Sequence, residues 1–180
     1  APDITPIETP APTPTPALKN GWYTYGTKNK KYFKDGKYLT GMRKIHGEVY
    51  YFSPKGFMKT GWIKYNDKKY YFGSNGVRCT GVKKISGKYY YFSDKGVLRT
   101  KTVKVGNTTY YCTEKGILEA WKKGSSFYYA NGKKMNSTRA YEYETLQRAK
   151  NVVNAITKPS MSKSQKFETC FRWVMYQHYY

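Results

Sequence analysis

A unit of twenty residues recurs along most of the chain, and this period constrains the fold more than any other feature of the sequence. Glycines recur with this spacing at Gly36, Gly56, Gly76, Gly96 and Gly116. An aromatic triplet, Tyr-Tyr-Phe, recurs with the same spacing at 50–52, 70–72 and 90–92, and Tyr-Tyr-Cys at 110–112 is an altered copy. A fixed period of this size is typical of a stacked repeat array, which offers a long binding surface and no built-in catalytic cleft.

The pattern inside each unit predicts a β-hairpin. In residues 61–80, two runs of strand-forming residues, 62–65 and 68–72, flank the pair Asn66-Asp67. Asn, Asp and Gly tolerate the positive φ angles of tight hairpin turns. Aromatic and β-branched residues favour strands. The loop that follows each hairpin carries one of the recurring glycines, such as Gly96, for which we expect a left-handed backbone.

An isolated hairpin is not stable in water, so the hairpins must pack on one another. Units start near residues 21, 41, 61, 81, 101 and 120. The sequence therefore predicts a mainly β fold, a solenoid of about six stacked β-hairpins followed by two α-helices, with the hairpin array over residues 20–136.

Pairing about the Asn66-Asp67 turn sorts the side chains of the unit onto two faces, because facing residues share a side and sides alternate along a strand. We expect one face to be packed, and it carries Ile63, Tyr65, Tyr70 and Phe72. The other face is aromatic and basic, and it carries Trp62, Lys64, Lys69 and Tyr71.

The aromatic and basic face supplies the candidate ligand-binding residues, since rings can stack on sugars and lysines can meet anions. These candidates are Trp22, Tyr51, Trp62, Lys64, Lys69, Tyr71, Tyr91, Tyr111 and Trp121. The competing interpretation is that most tyrosines of such an array only stack one hairpin on the next. We expect fewer than about a third of them to touch ligand, because energetically important contacts are sparse.

Charge is the second constraint on function. Lysine and arginine number 33 against 11 acidic residues, which gives a net charge of +22. Such an excess indicates an anionic partner reached by long-range attraction, and teichoic acids, acidic glycans, membranes and nucleic acids all fit on charge alone. The alternative is that the lysines keep a tyrosine-rich array in solution. A single-strand nucleic-acid binder is the least favoured class, because no nucleic-acid motif is present.

The cysteines and histidines indicate neither a cofactor nor a catalytic or metal site. Cys112 occupies the position of a core phenylalanine in other units, and the three cysteines form no paired spacing. Cys170 and His178 are eight residues apart on a predicted helix, about 12 Å along its axis, which is too far for a catalytic pair. No apolar run is long enough to span a membrane.

Two segments flank the array. Residues 1–19 hold most of the eight prolines in a Thr-Pro pattern, which predicts an extended linker and favours export. Residues 137–180 show helical periodicity, with one apolar stripe along 146–156, a break at Pro159 and a capping box formed by Ser162 and Gln165. These helices either dock on the last hairpins or open a further domain, and we favour the second.

The recurring Gly-Trp, Tyr-Tyr-Phe and turn glycine, as in GVKKISGKYYYFSDKGVLRT at 81–100, resemble the cell-wall-binding repeats of Gram-positive surface proteins. That family includes choline-binding and glucan-binding repeats and the C-terminal repeats of clostridial toxins. The resemblance covers residues 21–135. It implies a hairpin solenoid that attaches an extracellular protein to wall polymers or glycans. Choline-binding repeats usually place a second Trp before the Tyr pair, and that position here holds Val49, Lys69, Tyr89 and Thr109.

Residues 140–180 also resemble, more faintly, the leading helices of a bacterial transglutaminase-like domain, whose catalytic Cys, His and Asp come later than these helices. We therefore expect a non-catalytic module that attaches a protein to an anionic cell-wall polymer or surface polysaccharide. The alternative is the targeting part of a wall-anchored transglutaminase-like enzyme or cysteine peptidase.

Overall fold

The computed structural model describes residues 18–179, and the predicted proline-rich segment lies almost wholly outside them. Six hairpins are present, and the strands run β1 Gly21–Tyr25, β2 Asn29–Lys34, β3 Lys37–Tyr38, β4 Gly41–Ile45, β5 Glu48–Phe52, β6 Met58–Lys59, β7 Gly61–Tyr65, β8 Lys68–Phe72, β9 Gly81–Ile85, β10 Lys88–Phe92, β11 Val103–Val105, β12 Thr108–Cys112, β13 Leu118–Lys123 and β14 Ser126–Tyr129. Two helices follow, α1 Ser137–Ile156 and α2 Lys163–Tyr179. The predicted class, mainly β hairpins with two C-terminal helices, is confirmed.

The chain divides into two compact units. The first comprises the described residues as far as Gly81 together with Phe92–Leu98, and it contains β1 to β8. The second comprises Val82–Tyr91 and the residues from Arg99 onward, and it contains β11 to β14 and both helices.

The hairpin turns have the predicted chemistry. Asn66 and Asp67 have φ angles of 47° and 57°, and His46 and Gly47 have φ angles of 47° and 88°. Two successive positive φ angles define the primed turn that matches the twist of the flanking strands. The register that follows is also as predicted, with Trp62 opposite Tyr71 and Ile63 opposite Tyr70.

The predicted packed face forms the core of the array. Phe52, Phe72 and Phe92, which end the second strand of successive hairpins, are each 0% exposed. Tyr70 of the same face is also buried. Hydrogen bonds add a link between successive hairpins of the first unit, because Arg78 N donates to Val49 O and Leu98 N donates to Lys69 O, both at 2.8 Å.

The opposite face is packed as well, as the competing interpretation of its aromatic residues expects. The Trp22 ring lies 5.8 Å from the Phe52 ring of the next hairpin at an interplanar angle of 33°. Trp62 and Phe92 repeat this contact at 5.8 Å and 38°. In both pairs the tryptophan of one hairpin covers the phenylalanine of the next hairpin that contacts it.

Hairpins five and six are joined into one sheet of four strands, β11-β12-β13-β14. Strand β12 pairs with β13 in antiparallel register, with Tyr110 opposite Trp121 and a register shift between Tyr111 and Cys112. The sequence predicted two separate hairpins here. Local turn signals indicate each hairpin, but they carry no information about pairing between one hairpin and the next. The added pairing brings Trp121 beside the tyrosines of β12.

Helix α1 docks on the last hairpin, and it uses a different side from the predicted apolar stripe. Ala140 and Tyr143 pack against a buried cluster of Ala120, Phe127 and Met135. An ion pair between Lys122 Nζ and Glu144 Oε1 at 2.9 Å lies beside this contact. Leu146 and Val153 of the predicted stripe are instead 50% and 41% exposed.

Caps fix the starts of both helices. The Asn136 side chain accepts a hydrogen bond from Arg139 N at 2.8 Å and begins α1. The predicted capping box before α2 is confirmed, since Ser162 N donates to Gln165 Oε1 at 2.8 Å and Gln165 N donates to Ser162 Oγ at 3.2 Å. Within the described part of the chain, neither helix combines the length and the apolar character that crossing a bilayer requires.

Cys112 is a core residue, as its position in the repeat predicted. It is 8% exposed and clusters with Tyr91 and Leu118. Burial, with a smaller contribution from the Glu119 carboxylate, raises the pKa of the Cys112 thiol to about 11. Burial disfavours the thiolate, which is the reactive form of the side chain.

Thiol labelling checks this assignment. At pH 8 we expect a maleimide to modify the half-buried Cys79 and Cys170 readily and Cys112 only after unfolding, because a thiol of pKa about 11 is about 0.1% thiolate at that pH. The raised folded-state pKa stabilises the fold below the unfolded pKa, and this contribution is lost as pH rises toward 11. Mass spectrometry of native and urea-unfolded protein measures the pattern, and equal labelling of all three cysteines in the native protein would contradict it.

Candidate functional site

In the first unit, the candidate residues of the third hairpin come together on one surface. This aromatic–lysine patch consists of Trp62, Lys64, Lys69 and Tyr71. Strands β7 and β8 position it, because Trp62 faces Tyr71 and Lys64 faces Lys69 across the hairpin. The two rings meet edge to face with centroids 5.1 Å apart. Trp62 and both lysines also line an open cavity of about 440 Å³.

The charges of this patch determine what it can bind. Lys69 Nζ lies 4.6 Å from the centre of the Trp62 ring, in a cation–π contact. The chain's own ammonium thus stands where an external cation would bind over that ring. Lys64 pairs with Asp67 at 3.0 Å, but both side chains are mostly exposed, so this ion pair is weak. The patch therefore suits a ligand that brings a sugar or ring together with a negative charge.

Trp22 and Tyr51 combine exposure with packing in the same unit. Trp22 is 38% exposed, and its ring contacts those of Tyr32 and Tyr50 edge-on at 5.3 and 5.0 Å. Tyr51 is half-buried, and its ring meets Tyr65 of the third hairpin at 5.5 Å. Both rings pack successive hairpins against each other, and only the exposed remainder of each ring is open to a ligand.

In the second unit, Tyr91 and Tyr111 lie mainly among protein side chains. Tyr91 is 5% exposed, and its ring is stacked on Tyr110 at 3.7 Å. Tyr111 contacts Phe127 at 6.1 Å and Tyr143 at 5.5 Å. Burial raises the pKa of Tyr111, with Lys122 acting in the opposite direction. We therefore leave these two tyrosines out of the site that is developed below.

Trp121 lines a second cavity, of about 420 Å³, which we name the Tyr89 cavity. Its aromatic lining consists of Tyr89, Tyr110 and Trp121, and Lys123 also lines it. The Trp121 ring is held in place by stacking on Tyr128 at 4.0 Å and 8°. Lys84 Nζ also makes a cation–π contact with the Tyr89 ring, at 5.7 Å from its centre, which is longer than the 4.6 Å between Lys69 Nζ and the Trp62 ring.

Sequence reasoning named Trp121 among the candidate ligand-binding residues but did not name Tyr89 or Tyr110, which line the same cavity. The signal for Tyr89 was present, because it is the one aromatic among the four residues at the position of the second tryptophan of choline-binding repeats, Val49, Lys69, Tyr89 and Thr109. Tyr110 gave no such signal, since the second to fifth units all have a tyrosine at this position.

Among residues 18–179, no group of three or more His, Cys, Asp or Glu side chains has an arrangement that could hold a metal ion. The three cysteines are free thiols. The side chain of His178 lies outside the described part of the structure, so its predicted separation from Cys170 stays a prediction.

Two family models match the hairpin array. Residues 39–78 match the choline-binding repeat, and residues 83–98 match the putative cell wall binding repeat. The matches cover hairpins two to four, including the aromatic–lysine patch and Tyr89.

Solved structures from Streptococcus pneumoniae share the fold. Choline binding protein F is 30% identical over 65% of this chain and 42% of its own, with a TM-score of 0.53. The same protein in the presence of a peptidoglycan analogue, a tetrasaccharide-pentapeptide, is 31% identical over 66% of this chain and 45% of its own, also at 0.53. CbpJ is 28% identical over 66% of this chain and 46% of its own, again at 0.53.

The chain spans less than half the length of these three proteins. No curated protein matches it in sequence. The period, the hairpin geometry, the two model matches and the similar structures agree that residues 39–78 and 83–98 of this chain carry choline-binding and cell wall binding repeats.

Proposed function

We propose that residues 20–136 form a non-catalytic module that attaches its protein to a choline-bearing, anionic polymer of a Gram-positive cell wall, such as a teichoic acid. The observation that carries this proposal is the Tyr89 cavity, an open space lined by three aromatic rings and a lysine. Electron-rich ring faces attract a quaternary ammonium, and the nearby Lys123 can meet the phosphate to which choline is attached.

The aromatic–lysine patch supports the anionic part of the proposal. Lys69 already occupies the face of Trp62, so this patch would bind the phosphate or sugar of the polymer rather than its ammonium group. The net charge of +22 draws such a polymer toward the surface. Several weak contacts along one polymer add up through multivalency.

The arrangement of the hairpins fits the same proposal. We infer that the contacts repeated between successive hairpins, Trp22 with Phe52 and Trp62 with Phe92, extend as a solenoid along the array. A solenoid would present its sites along one polymer chain. The location that follows is extracellular, at the cell surface. Choline binding protein F, which resembles this chain, was solved with a peptidoglycan analogue. The transglutaminase-like resemblance of residues 140–180 stays a prediction.

The variant Tyr89→Lys tests the proposal by placing a built-in cation in the cavity, as Lys69 does at Trp62. We expect retention on choline-bearing walls to fall about two- to fivefold, the loss of one cation–π site at an open surface. Retention of the whole chain would be measured by co-sedimentation and by the free choline needed for release. Tyr141→Lys is the matched control, because Tyr141 is 73% exposed on α1 and outside the cavity.

Two further measurements test whether the polymer is anionic and choline-bearing. One is binding to walls stripped of teichoic acid, and the other is binding across a salt series. Binding that is lost on stripping and weakened by salt supports a polymer that is both anionic and choline-bearing. If Tyr89→Lys and Tyr141→Lys were released at the same choline concentration as the unaltered protein, the Tyr89 cavity would not be the choline site.

A further inference from the structure

Helix α1 is oriented with a polar face toward the hairpin array. Gln147, Asn151 and Asn154, spaced four and three residues apart, line one side of a cavity of about 770 Å³ in the second unit. Leu146 and Val153, on the other side of the helix, are largely exposed. A helix that packs only for stability buries its apolar side. This helix instead presents carboxamides to a half-open cavity of the size that ligand sites have.

The charge of this cavity is mainly positive. Lys101 from the loop before β11, Lys158 from the segment between the helices and Lys166 from α2 line it. Within residues 18–179, none of these three lysines has a carboxylate within 4.0 Å of its ammonium. Two carboxylates, Glu114 and Glu119, also line it, and Glu119 is paired with Lys150 at 4.0 Å.

One polar group at the cavity has an unmet hydrogen bond. Gln147 Nε2 is buried, and it has no acceptor anywhere in the described part of the chain. A buried donor without an acceptor is costly, so such groups usually have a partner in the functional state. The Nε2 atom itself is covered by protein, so the Gln147 side chain would have to turn into the adjoining cavity to reach a ligand acceptor.

From these three observations we propose that this cavity, which we name the carboxamide cavity, binds an acidic saccharide or polyol. Carboxamides donate to and accept from neighbouring hydroxyl groups, and the three lysines meet a phosphate or carboxylate. The site shares no residue with the Tyr89 cavity, so it goes beyond the proposed choline attachment and adds a second recognition element next to the helices.

Titration calorimetry of the whole chain tests the site with three probes of equal length. A glycerol phosphate oligomer and a galacturonate oligomer carry the anion as phosphate or carboxylate, and a neutral maltooligosaccharide carries none. We expect at least one acidic probe to bind about tenfold or more tightly than the neutral one, from charge-assisted hydrogen bonds. The stronger of the two acidic probes identifies the anion.

Two substitutions on α2 separate this site from diffuse attraction. Lys166 lines the cavity and Lys163 does not, although both begin the same helix. Lys166→Glu and Lys163→Glu change the net charge equally, and we expect about a tenfold loss of acidic-probe affinity only for Lys166→Glu. Asn151→Ala should also weaken binding, and it cannot do so by unfolding α1, because alanine is the better helix former.

The proposal is overturned if the neutral probe binds as well as both acidic probes, or if Lys166→Glu and Lys163→Glu weaken binding equally. Choline-dependent wall retention is the independent readout. Lys166→Glu should leave it unchanged, and Tyr89→Lys should leave acidic-probe affinity unchanged, so failure of either site is recognised separately.

Discussion

Replacing Phe72 with alanine should destabilise the hairpin array by about 3–5 kcal/mol, the usual cost of truncating a fully buried phenylalanine. Phe72 is 0% exposed, and the Tyr51 ring of the preceding hairpin lies 6.2 Å from its own. The substitution removes a ring that two hairpins share, so it weakens the contact between units as well as the unit itself. The midpoint of urea unfolding, followed by far-UV circular dichroism, measures the loss.

Phe167→Ala is the matched control for this prediction. The same atoms are removed, but Phe167 on α2 is 75% exposed, so we expect a change within about 0.5 kcal/mol. Phe72→Leu should fall between the two, because most of the buried volume is kept. A midpoint for Phe72→Ala equal to that of Phe167→Ala would show that the stacked phenylalanines do not form the core.

Gly76→Ala should lower the free energy of unfolding by about 2–5 kcal/mol, for two reasons that add. A left-handed backbone is unfavourable for alanine, and the added methyl group overpacks its surroundings. Gly76 has a φ angle of 80°, and a Cβ there would overlap the Sδ of Met58 in the preceding unit. The loop glycine is thus also the point at which one unit closes against the one before it. Urea unfolding measures the cost.

Two comparisons separate the backbone cost from the packing cost. Gly47 has a φ angle of 88° with nothing within 4 Å of its Cβ position, so Gly47→Ala should show the backbone cost alone. In a Met58→Ala background, Gly76→Ala should cost no more than Gly47→Ala, since the overlapping side chain is gone. A full cost for Gly76→Ala in that background would refute the close approach to Met58.

Features set by neighbouring residues could be predicted from the sequence. Asn66-Asp67 determines its own turn, the turn determines that Trp62 faces Tyr71, and alternation then buries Phe72. The capping box of Ser162 and Gln165 is local in the same way. Each of these depends on fewer than about a dozen consecutive residues, the range over which propensity and periodicity act.

Features set by contacts between one hairpin and its neighbours could not be predicted in this way. Tyr91 and Tyr71 occupy equivalent positions in the repeat, yet Tyr91 is buried under Tyr110 and Tyr71 is not. Pairing of β12 with β13 moves Trp121 beside Tyr110, and no local signal encodes that pairing. The side of α1 that docks depends on Tyr143 meeting Phe127, a contact that competes with the more apolar stripe through Leu146.

The contact of Tyr143 with the last hairpin limits how the length of such a protein can change by duplication. A duplicated repeat inserted before β7 would keep the twenty-residue spacing of the repeats. Its hairpin would have a neighbour on each side, and these neighbours would cover the residues equivalent to Phe72 and Trp62. A unit inserted after β14 would have to displace Tyr143 from Phe127 and separate Glu144 from Lys122. Variation in repeat number should therefore be confined to the interior of the array, while the last hairpin and α1 are inherited together as one terminal piece.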